Sequence, residues 1–435
     1  MNATHTKQKS ETISRLVSLS LVTLVLLGSA YVLCRVGTEE RRLTIAVKQG
    51  VEGVALKEIA QNFSRHKNIS IEVVELPYDE LYEAEMRQLK SRPQRQRNAV
   101  PPFDVIMVDD PWLYSFVYGP DSANDKPRLE NLTSVLEGKK TDFFPKTLDV
   151  AKYCPAGDSC SDYFAVPFVA NSQLFAYRAS DFAGRPSTWK EVSDRSKKKM
   201  PGSIGYVTRI GPGNSIVTDF MPILWAYDHD SLPQRPGGQP LRNPDAAFET
   251  LNTLVGARKN LGSASFDDFD VSAYLQKGRA STGIVWSAWA MMLADTDSTA
   301  RGLTSKNEST VPQSKHAAKL QASLLSQPLD VVKGTAEDES STPFKEELVF
   351  ASMPRGSSAT TEPELGVWLL AIPTESDQTD LAREFVEYAT DLSPAPDAQP
   401  NEQSLAAARR GTPPPRISVL ASLEDEPKYK YEHPS

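Results

Sequence analysis

The chain has 435 residues, of which 40% are hydrophobic and 24% charged. That length exceeds one small domain and suits two lobes of ordinary size, each with its own buried core. The formal net charge is −8 at pH 7. General nucleic-acid-binding proteins are normally basic, so this balance argues against that class, and we expect no nucleic-acid partner.

Residues 1–15 and 16–33 form a separate unit at the amino terminus. The first range is a polar head with lysine and arginine residues, and the second is an apolar run long enough to span a bilayer. This order predicts a cytoplasmic basic head and a signal anchor helix, with the rest of the chain outside. Cleavage at Gly28–Ala30 is the second interpretation, and lipidation of Cys34 is the third. We therefore expect a protein on the periplasmic or extracellular face of the cell envelope, anchored to the membrane or exported after cleavage.

Two cysteines, Cys154 and Cys160, flank the loop-forming sequence Pro-Ala-Gly-Asp-Ser. In an exported chain this spacing predicts a local disulfide. A loop this short gains on the order of 2–3 kcal/mol at best from such a bond. No histidine lies near the pair, and the histidines elsewhere are scattered. The sequence therefore predicts no metal site and no cofactor.

Strands and helices alternate in the first part of the exported region. The apolar patterns predict strands at Leu43–Val47, Ile69–Leu76 and Phe103–Val108. Helices are predicted to follow the turn at Gly50 and the capping residue Asp79. The strand at Phe103–Val108 is a near-continuous apolar run, which is typical of parallel strands buried on both faces. This alternation predicts an α/β lobe with a parallel sheet.

The alternation continues through the second part of the chain. Strands are predicted at Phe164–Val169, Leu174–Arg178, Thr282–Trp286, Glu347–Met353 and Gly366–Ile372. Helices are predicted to begin at Thr188 and at Asn243. Two more helices are predicted at Val271–Lys277 and around Leu381–Tyr388. In the helix after Asn243 the residues on one face are Phe248, Leu251, Leu254 and Val255. Residues 300–343 are polar and predict an exposed insertion.

The ordered series of motifs resembles the family 1 extracellular solute-binding proteins of ABC importers, a group that includes the maltose-binding proteins. The segments that carry the resemblance are Ile71–Leu81, Phe103–Trp112, Tyr163–Asn171, Gln276–Trp289 and Gly366–Ile372. The resemblance covers residues 43–420 and implies an α/β, two-lobe periplasmic binding protein fold of type II. It implies a first lobe at 43–112 and 366–420, a second lobe at 113–365, and a tail at 421–435. The long polar insertion and the early carboxyl end depart from the family's pattern.

The resemblance implies a ligand site between the lobes, at the carboxyl ends of the strands. A sugar needs flat aromatic faces for its C–H surface and short polar groups for its hydroxyls. The candidates that offer these groups are Gln49, Gly50, Asp109, Asp110, Trp112, Asn171, Trp286, Trp289, Gly366 and Trp368. Each has a structural alternative: a tryptophan can pack in a core, the two aspartates can cap the following helix, and Asn171 can serve a hinge.

The first hypothesis is capture of a small polar ligand, a sugar, for ABC permease subunits in the membrane. The second is a membrane-anchored sensing or scaffold module without transport, which the insertion and the early carboxyl end favour. The third is a secreted glycoside hydrolase using Asp267, Asp268 and Asp270. Those residues share one short loop and can cap the helix that follows, and the sequence contains no Gly-x-Ser-x-Gly nucleophile elbow. We therefore expect no catalytic residues and no enzymatic activity.

Overall fold

The computed structural model describes residues 41–90, 102–118, 126–153, 162–182, 184–196, 204–209, 214–230, 243–261, 267–290, 293, 348–358, 361–393 and 399–424. The predicted signal anchor, the Cys154 and Cys160 pair, the polar insertion and most of the tail lie outside these residues. Within the described ranges, no helix is both long enough and apolar enough to cross a membrane.

Strands and helices alternate along the described residues, as the sequence predicts. The strands are β1 (Arg42–Lys48), β2 (Ser70–Leu76), β3 (Val105–Asp109), β4 (Val166–Arg178), β5 (Ile204–Val207), β6 (Ala280–Trp286), β7 (Leu348–Ala351) and β8 (Leu365–Ala371). The α-helices are α1 (Val51–Lys67), α2 (Tyr78–Lys90), α3 (Leu113–Val117), α4 (Pro145–Asp149), α5 (Trp189–Ser196), α6 (Asn214–Tyr227), α7 (Pro244–Leu261), α8 (Asp268–Gln276), α9 (Thr379–Ala389), α10 (Glu402–Arg409) and α11 (Ile417–Glu424).

The strands form one mixed sheet in the order β2-β1-β3-β8-β4-β6-β5, with β7 paired to β4. β1 runs parallel to both β2 and β3, which confirms the parallel sheet predicted for the first part of the chain. β8 is antiparallel to both β3 and β4. The chain therefore builds half of the sheet locally and completes it with a strand from near its carboxyl end.

The long strand β4 joins the two halves of the sheet. Its first part, Val166–Ser172, pairs with β8, and its second part, Gln173–Arg178, pairs with β6 and β7. The sequence predicted two separate strands here, whereas the structure has one strand of 13 residues. The register shifts between Pro167 and Val169. This irregularity suits a proline, which has no N–H to donate to a ladder.

Separate hydrophobic cores lie on the two halves of the sheet. The first core surrounds β1, β3, β8 and the start of β4, with α1, α2 and α9 packed on it. The second half is filled by clusters around Phe175, Trp189 and Leu275. Phe116 and Phe143 belong to this first core, although they lie in the range 113–365 that the resemblance implies for the second lobe. Two cores joined by a shared strand give the molecule two lobes.

A close approach of backbone atoms fixes the turn between β1 and α1. A Cβ atom at Gly53 would lie 2.0 Å from the carbonyl oxygen of Lys48, so only glycine fits there. Gly50, at φ 138°, holds a backbone conformation that other residues rarely adopt. This turn sets Lys48 and Glu52 beside each other at the carboxyl end of β1.

Local capping predictions are confirmed in the second lobe. Oγ1 of Thr188 accepts a hydrogen bond from the backbone N–H of Glu191 (3.1 Å), whose carboxylate accepts one from the N–H of Ser187 (2.8 Å). Oδ1 of Asn243 accepts a bond from the N–H of Ala246 (3.2 Å), as expected at the start of α7. These caps satisfy backbone donors that a helix leaves unpaired at its start.

The apolar face predicted for α7 is only partly buried. Leu254 is buried, whereas Phe248, Leu251 and Val255 are exposed. The buried stripe is instead Ala246, Thr250 and Leu254, spaced four residues apart. Thr250 can be buried because its hydroxyl donates to the carbonyl oxygen of Ala246 (2.8 Å).

Candidate functional site

The ends of several strands meet where the two halves of the sheet join. β1, β3 and β6 end there, β8 begins there, and β4 crosses between the lobes there. We call this region the cleft and define it by Lys48, Asp109, Asn171, Trp286 and Gly366. Open α/β sheets place their ligands at such strand ends.

An aromatic cluster forms the first-lobe wall of the cleft. The rings of Trp112 and Trp368 lie 5.7 Å apart and almost perpendicular, and Tyr78 lies 4.7 Å from Trp112 and 6.1 Å from Trp368. Trp112 is 8% exposed and Trp368 is 6% exposed. Nζ of Lys48 lies 5.5 Å from the centre of the Trp368 ring. Both indoles are therefore largely packing residues, with Lys48 over Trp368.

Asp109 ends β3, Asp110 follows it, and both accept hydrogen bonds from neutral donors. Asp109 accepts hydrogen bonds from the hydroxyl of Tyr78 (2.6 Å) and from the N–H of Asp110 (3.1 Å), which makes it the cap of the short helix that follows. Asp110 accepts a bond from the N–H of Val367 on β8 (2.8 Å). The capping alternative is thus confirmed for Asp109, whereas Asp110 links β3 to β8.

Asn171 connects the two lobes. Its Nδ2 donates to Oε1 of Glu52 in the first lobe (2.8 Å), and its Oδ1 accepts from the N–H of Ala288 in the second lobe (3.2 Å). The residue is buried in the crossing strand β4. This arrangement is the one expected of a hinge residue.

Trp286 ends β6 and is the most accessible of the predicted indoles. Its Cη2 atom lies 3.2 Å from where a Cβ atom would stand at Gly366, so the ring lies against the β8 backbone. The guanidinium of Arg209 lies 5.4 Å from the ring centre. Trp289 is instead buried in the second lobe, edge-on to Phe269 at 6.3 Å.

The turn after β1 supplies the last two candidates. Gln49 is exposed, and its backbone N–H donates to the carbonyl oxygen of Leu76 (2.7 Å), which leaves its side chain at the surface. Gly50 is buried at the start of α1. Gln49 can therefore offer a side-chain amide to a ligand, and Gly50 only its backbone.

The structure adds charged residues that the sequence did not single out. Arg209, 2% exposed, donates from Nε to Asp219 (2.8 Å) and from Nη1 to Asp268 (2.8 Å). Asp267 caps α8 in a reciprocal capping box with Asp270, as expected. Asp268, from the same loop, instead pairs with the buried guanidinium.

Lys48, Glu52 and Glu364 complete the charged groups. Nζ of Lys48 lies 3.6 Å from Oε2 of Glu52. Burial lowers the pKa of Lys48, but the carboxylates of Glu52, Asp268 and Asp109 outweigh it and raise that pKa above its usual value. The N–H of Glu364, just before β8, donates to Oε1 of Gln173 (3.2 Å).

Three carboxyl groups of the cleft hold their protons unusually tightly. Burial, together with the nearby charge of Asp110, raises the pKa of Asp109 to about 7. Burial and the charge of Glu364 raise the pKa of Asp110 to about 6. Burial raises the pKa of Glu364 to about 7; the charge of Arg209 opposes this rise, and those of Asp109 and Asp219 add to it. The cleft is therefore a place where negative charge is poorly compensated.

Neither of two surface depressions in the structure lies in the cleft. The larger, with a volume of about 450 Å³, is a groove between α1 and β2 lined by Lys57, Ser64, Arg65, Ile71 and their neighbours. The other is a small gap beside Phe168 and Arg416. The cleft side chains contact one another instead. Within the described ranges no group of His, Cys, Asp and Glu is arranged to hold a metal ion.

A mixed α/β sheet divided into two lobes, with polar and aromatic residues at the crossing strands, defines the class of two-lobe solute-binding proteins. The chain belongs to the bacterial extracellular solute-binding protein family, whose pattern matches residues 48–392. This confirms the resemblance and the predicted two-lobe fold. A comparison with curated proteins finds no match.

Solved structures of similar fold include three sugar- or polyol-bound proteins. The maltose-bound T. maritima MalE3 has a TM-score of 0.62 and 20% identity, covering 89% of this chain and 84% of that one. A solute-binding protein from Agrobacterium radiobacter in complex with ribitol has a TM-score of 0.61 and 16% identity, covering 85% and 79%. The maltotriose-bound Thermus thermophilus maltotriose-binding protein has a TM-score of 0.57 and 16% identity, covering 89% and 84%.

Proposed function

We propose that this solute-binding protein captures a sugar or polyol in the cleft and delivers it to the permease subunits of an ABC importer. The observation that carries the proposal is that the Trp286 ring lies against Gly366 at the start of β8, between Glu364 and Val367, whose N–H binds Asp110. An indole face can cover the C–H surface of a sugar, and carboxyl groups can bond its hydroxyls. The relatives that bind maltose, maltotriose and ribitol support this class of ligand.

Binding in this cleft requires the lobes to separate and close again. Asn171 and the shared strand β4 connect the lobes, so bending there is the natural motion. Packing supports a first lobe made of the described residues in 41–172 and 365–424, with the second lobe formed by those between them. A ligand favours the closed form only through contacts that it makes with both lobes at once.

We also propose that the protein acts without catalysis and is held at the outer face of the membrane by residues 16–33. The carboxyl pair that a hydrolase would need is committed to other tasks: Asp267 caps α8, and Asp268 pairs with Arg209. Apolar length and the preceding positive charges support the anchor.

A thermal-shift screen of the full chain in detergent over neutral sugars and polyols tests this function. A ligand at a hundredfold excess over its dissociation constant should stabilise the fold by about 2.7 kcal/mol. Binding should also change tryptophan fluorescence, and Trp286→Ala should remove most of that change. Turnover of a bound glycoside would contradict the absence of catalysis, and absence of any stabilising sugar or polyol would contradict the ligand class.

A further inference from the structure

The described residues place more negative than positive groups around the cleft. The carboxyl groups are those of Glu52, Asp109, Asp110, Asp219, Asp268 and Glu364, and the cations are Lys48 and Arg209. Arg209 is engaged by Asp219 and Asp268, and Lys48 lies beside Glu52. Two cations therefore face six acids, and their ion pairs are with three of them.

The other three acids accept their hydrogen bonds from neutral donors in the described structure. Asp109 is bonded by Tyr78 and Asp110 by the N–H of Val367, as described above. Glu364 accepts a long bond from Nε2 of Gln173 (3.5 Å). Burial raises the pKa of each of the three acids, even though the charge of Lys48 lowers the pKa of Asp109 and that of Arg209 lowers the pKa of Glu364. An added positive charge would relieve the repulsion among them.

A second observation in the same cleft also indicates a missing donor. Glu52 is 1% exposed, and its Oε2 accepts no hydrogen bond from the described residues, although Nζ of Lys48 lies 3.6 Å away. Buried polar atoms of native proteins are normally bonded. A ligand that donates several hydrogen bonds would fit such a site better than one that mainly accepts them.

A metal ion does not explain the excess of acids, because the described acids are not grouped as metal ligands. The indole faces favour an organic cation. Lys48 already lies over Trp368 and Arg209 over Trp286, so both rings accept cations in this cleft.

We propose that the solute is an amino sugar or amino polyol whose ammonium group binds between Asp110 and Glu364, beside the face of Trp286. The hydroxyl groups of such a ligand use the remaining polar groups of the cleft, and its ammonium supplies the positive charge that the site lacks. This inference rests on the proposed function and narrows its ligand class.

Isothermal titration calorimetry with matched probes tests the inference. Glucosamine, N-acetylglucosamine and glucose differ at a single position, as do galactosamine and its neutral counterparts. At pH 7 an amine-bearing probe should bind at least about tenfold more tightly than its neutral counterparts, which corresponds to 1.4 kcal/mol. Its affinity should fall as the pH is lowered from 7 to 5.5, because protonation of Asp109, Asp110 and Glu364 removes the charges that attract it. Titrations in two buffers of different ionisation enthalpy should show proton release.

Two variants make the result specific to the cleft. Glu364→Gln should reduce the preference for amine-bearing probes to less than threefold. Glu362→Gln, at a carboxyl that pairs with His229 outside the cleft, should leave the preference unchanged. Tighter binding of the neutral probes would overturn the amine inference and leave the proposed function standing. Failure of neutral and amine-bearing probes alike would overturn both.

Discussion

The buried carboxyl groups on the two sides of the cleft have different partners. In the second lobe, Asp219 and Asp268 share the buried guanidinium of Arg209. At the end of β3 and just before β8, Asp109, Asp110 and Glu364 accept hydrogen bonds from neutral donors and have raised pKa values. A carboxylate with a built-in cation stabilises structure, whereas an uncompensated one is available to a ligand. The difference indicates that the second lobe forms a fixed wall and that the first-lobe side supplies the adaptable polar groups.

Among the variants considered, removal of the buried cation Arg209 should have the largest effect on stability. Arg209→Met leaves Asp219, which is fully buried, without its charged partner. Breaking a buried ion pair in this way costs about 3–5 kcal/mol. The free energy of unfolding measured with urea should fall by that amount.

A matched exposed pair serves as the control for this prediction. Lys190 and Asp194 lie four residues apart on the surface of α5. Lys190→Met should leave the unfolding free energy unchanged within error, because exposed ion pairs contribute little. Equal losses in Arg209→Met and Lys190→Met would show that the buried network has no special role.

Substitutions of Trp368 and Trp286 should differ in their effects on stability and on ligand binding. Trp368 is buried among Tyr78 and Trp112, so Trp368→Ala should destabilise the fold by about 3 kcal/mol. Trp286 is more exposed, and Trp286→Ala should change stability less but weaken ligand binding more. Urea unfolding and calorimetry on both variants check this. The reverse pattern would place the ligand away from Trp286.

Glu364 should make stability depend on pH. Its pKa is raised from 4.5 to about 7 in the folded protein. Between those values the folded state keeps a proton that the unfolded state has released, so stability falls as the pH rises through this window. Glu364→Gln lacks this titration. Allowing for partial solvent exposure, the variant should gain on the order of 2 kcal/mol relative to wild type between pH 4.5 and 8.

Unfolding curves of the two proteins at several pH values measure that difference. Asp109 and Asp110 titrate in both proteins, so the comparison reports Glu364 together with its effect on the pKa of Asp110. Parallel stability profiles would mean that Glu364 is not desolvated in the folded state.

The smallest effect is expected at the cap of α8. Asp267→Ala removes the side chain that accepts from the N–H of Asp270 and should cost about 1 kcal/mol. Ligand affinity should stay within twofold of wild type. A large loss of affinity without a loss of stability would return this loop to the ligand site.

Local patterns predicted most of the fold. The strands β1, β3 and β8 are long apolar runs, and the helix caps at Thr188 and Asn243 are set by neighbouring residues. The strand β5 was missed because Gly205 interrupts its short apolar pattern. The exposure of one face of α7 was also missed, since periodicity identifies a helix and does not show which of two adjacent stripes is buried.

The candidate site was only partly predictable. Position at a strand end pointed to Asp110 and Trp286, but nothing local distinguishes Trp286 from the buried Trp289. Arg209 and Glu364 were missed because the burial of each depends on partners far away in the sequence. The position of Lys48, directly before Gln49, was the one local signal that could have identified it.

Hydrogen–deuterium exchange of the full chain with and without a stabilising sugar tests the central claim most directly. Ligand capture in the cleft predicts slower exchange in residues 48–53, 109–112, 286–290 and 364–368. The groove between α1 and β2 should show no change. Protection confined to that groove, or absent from the cleft at saturating ligand, would contradict capture between the lobes.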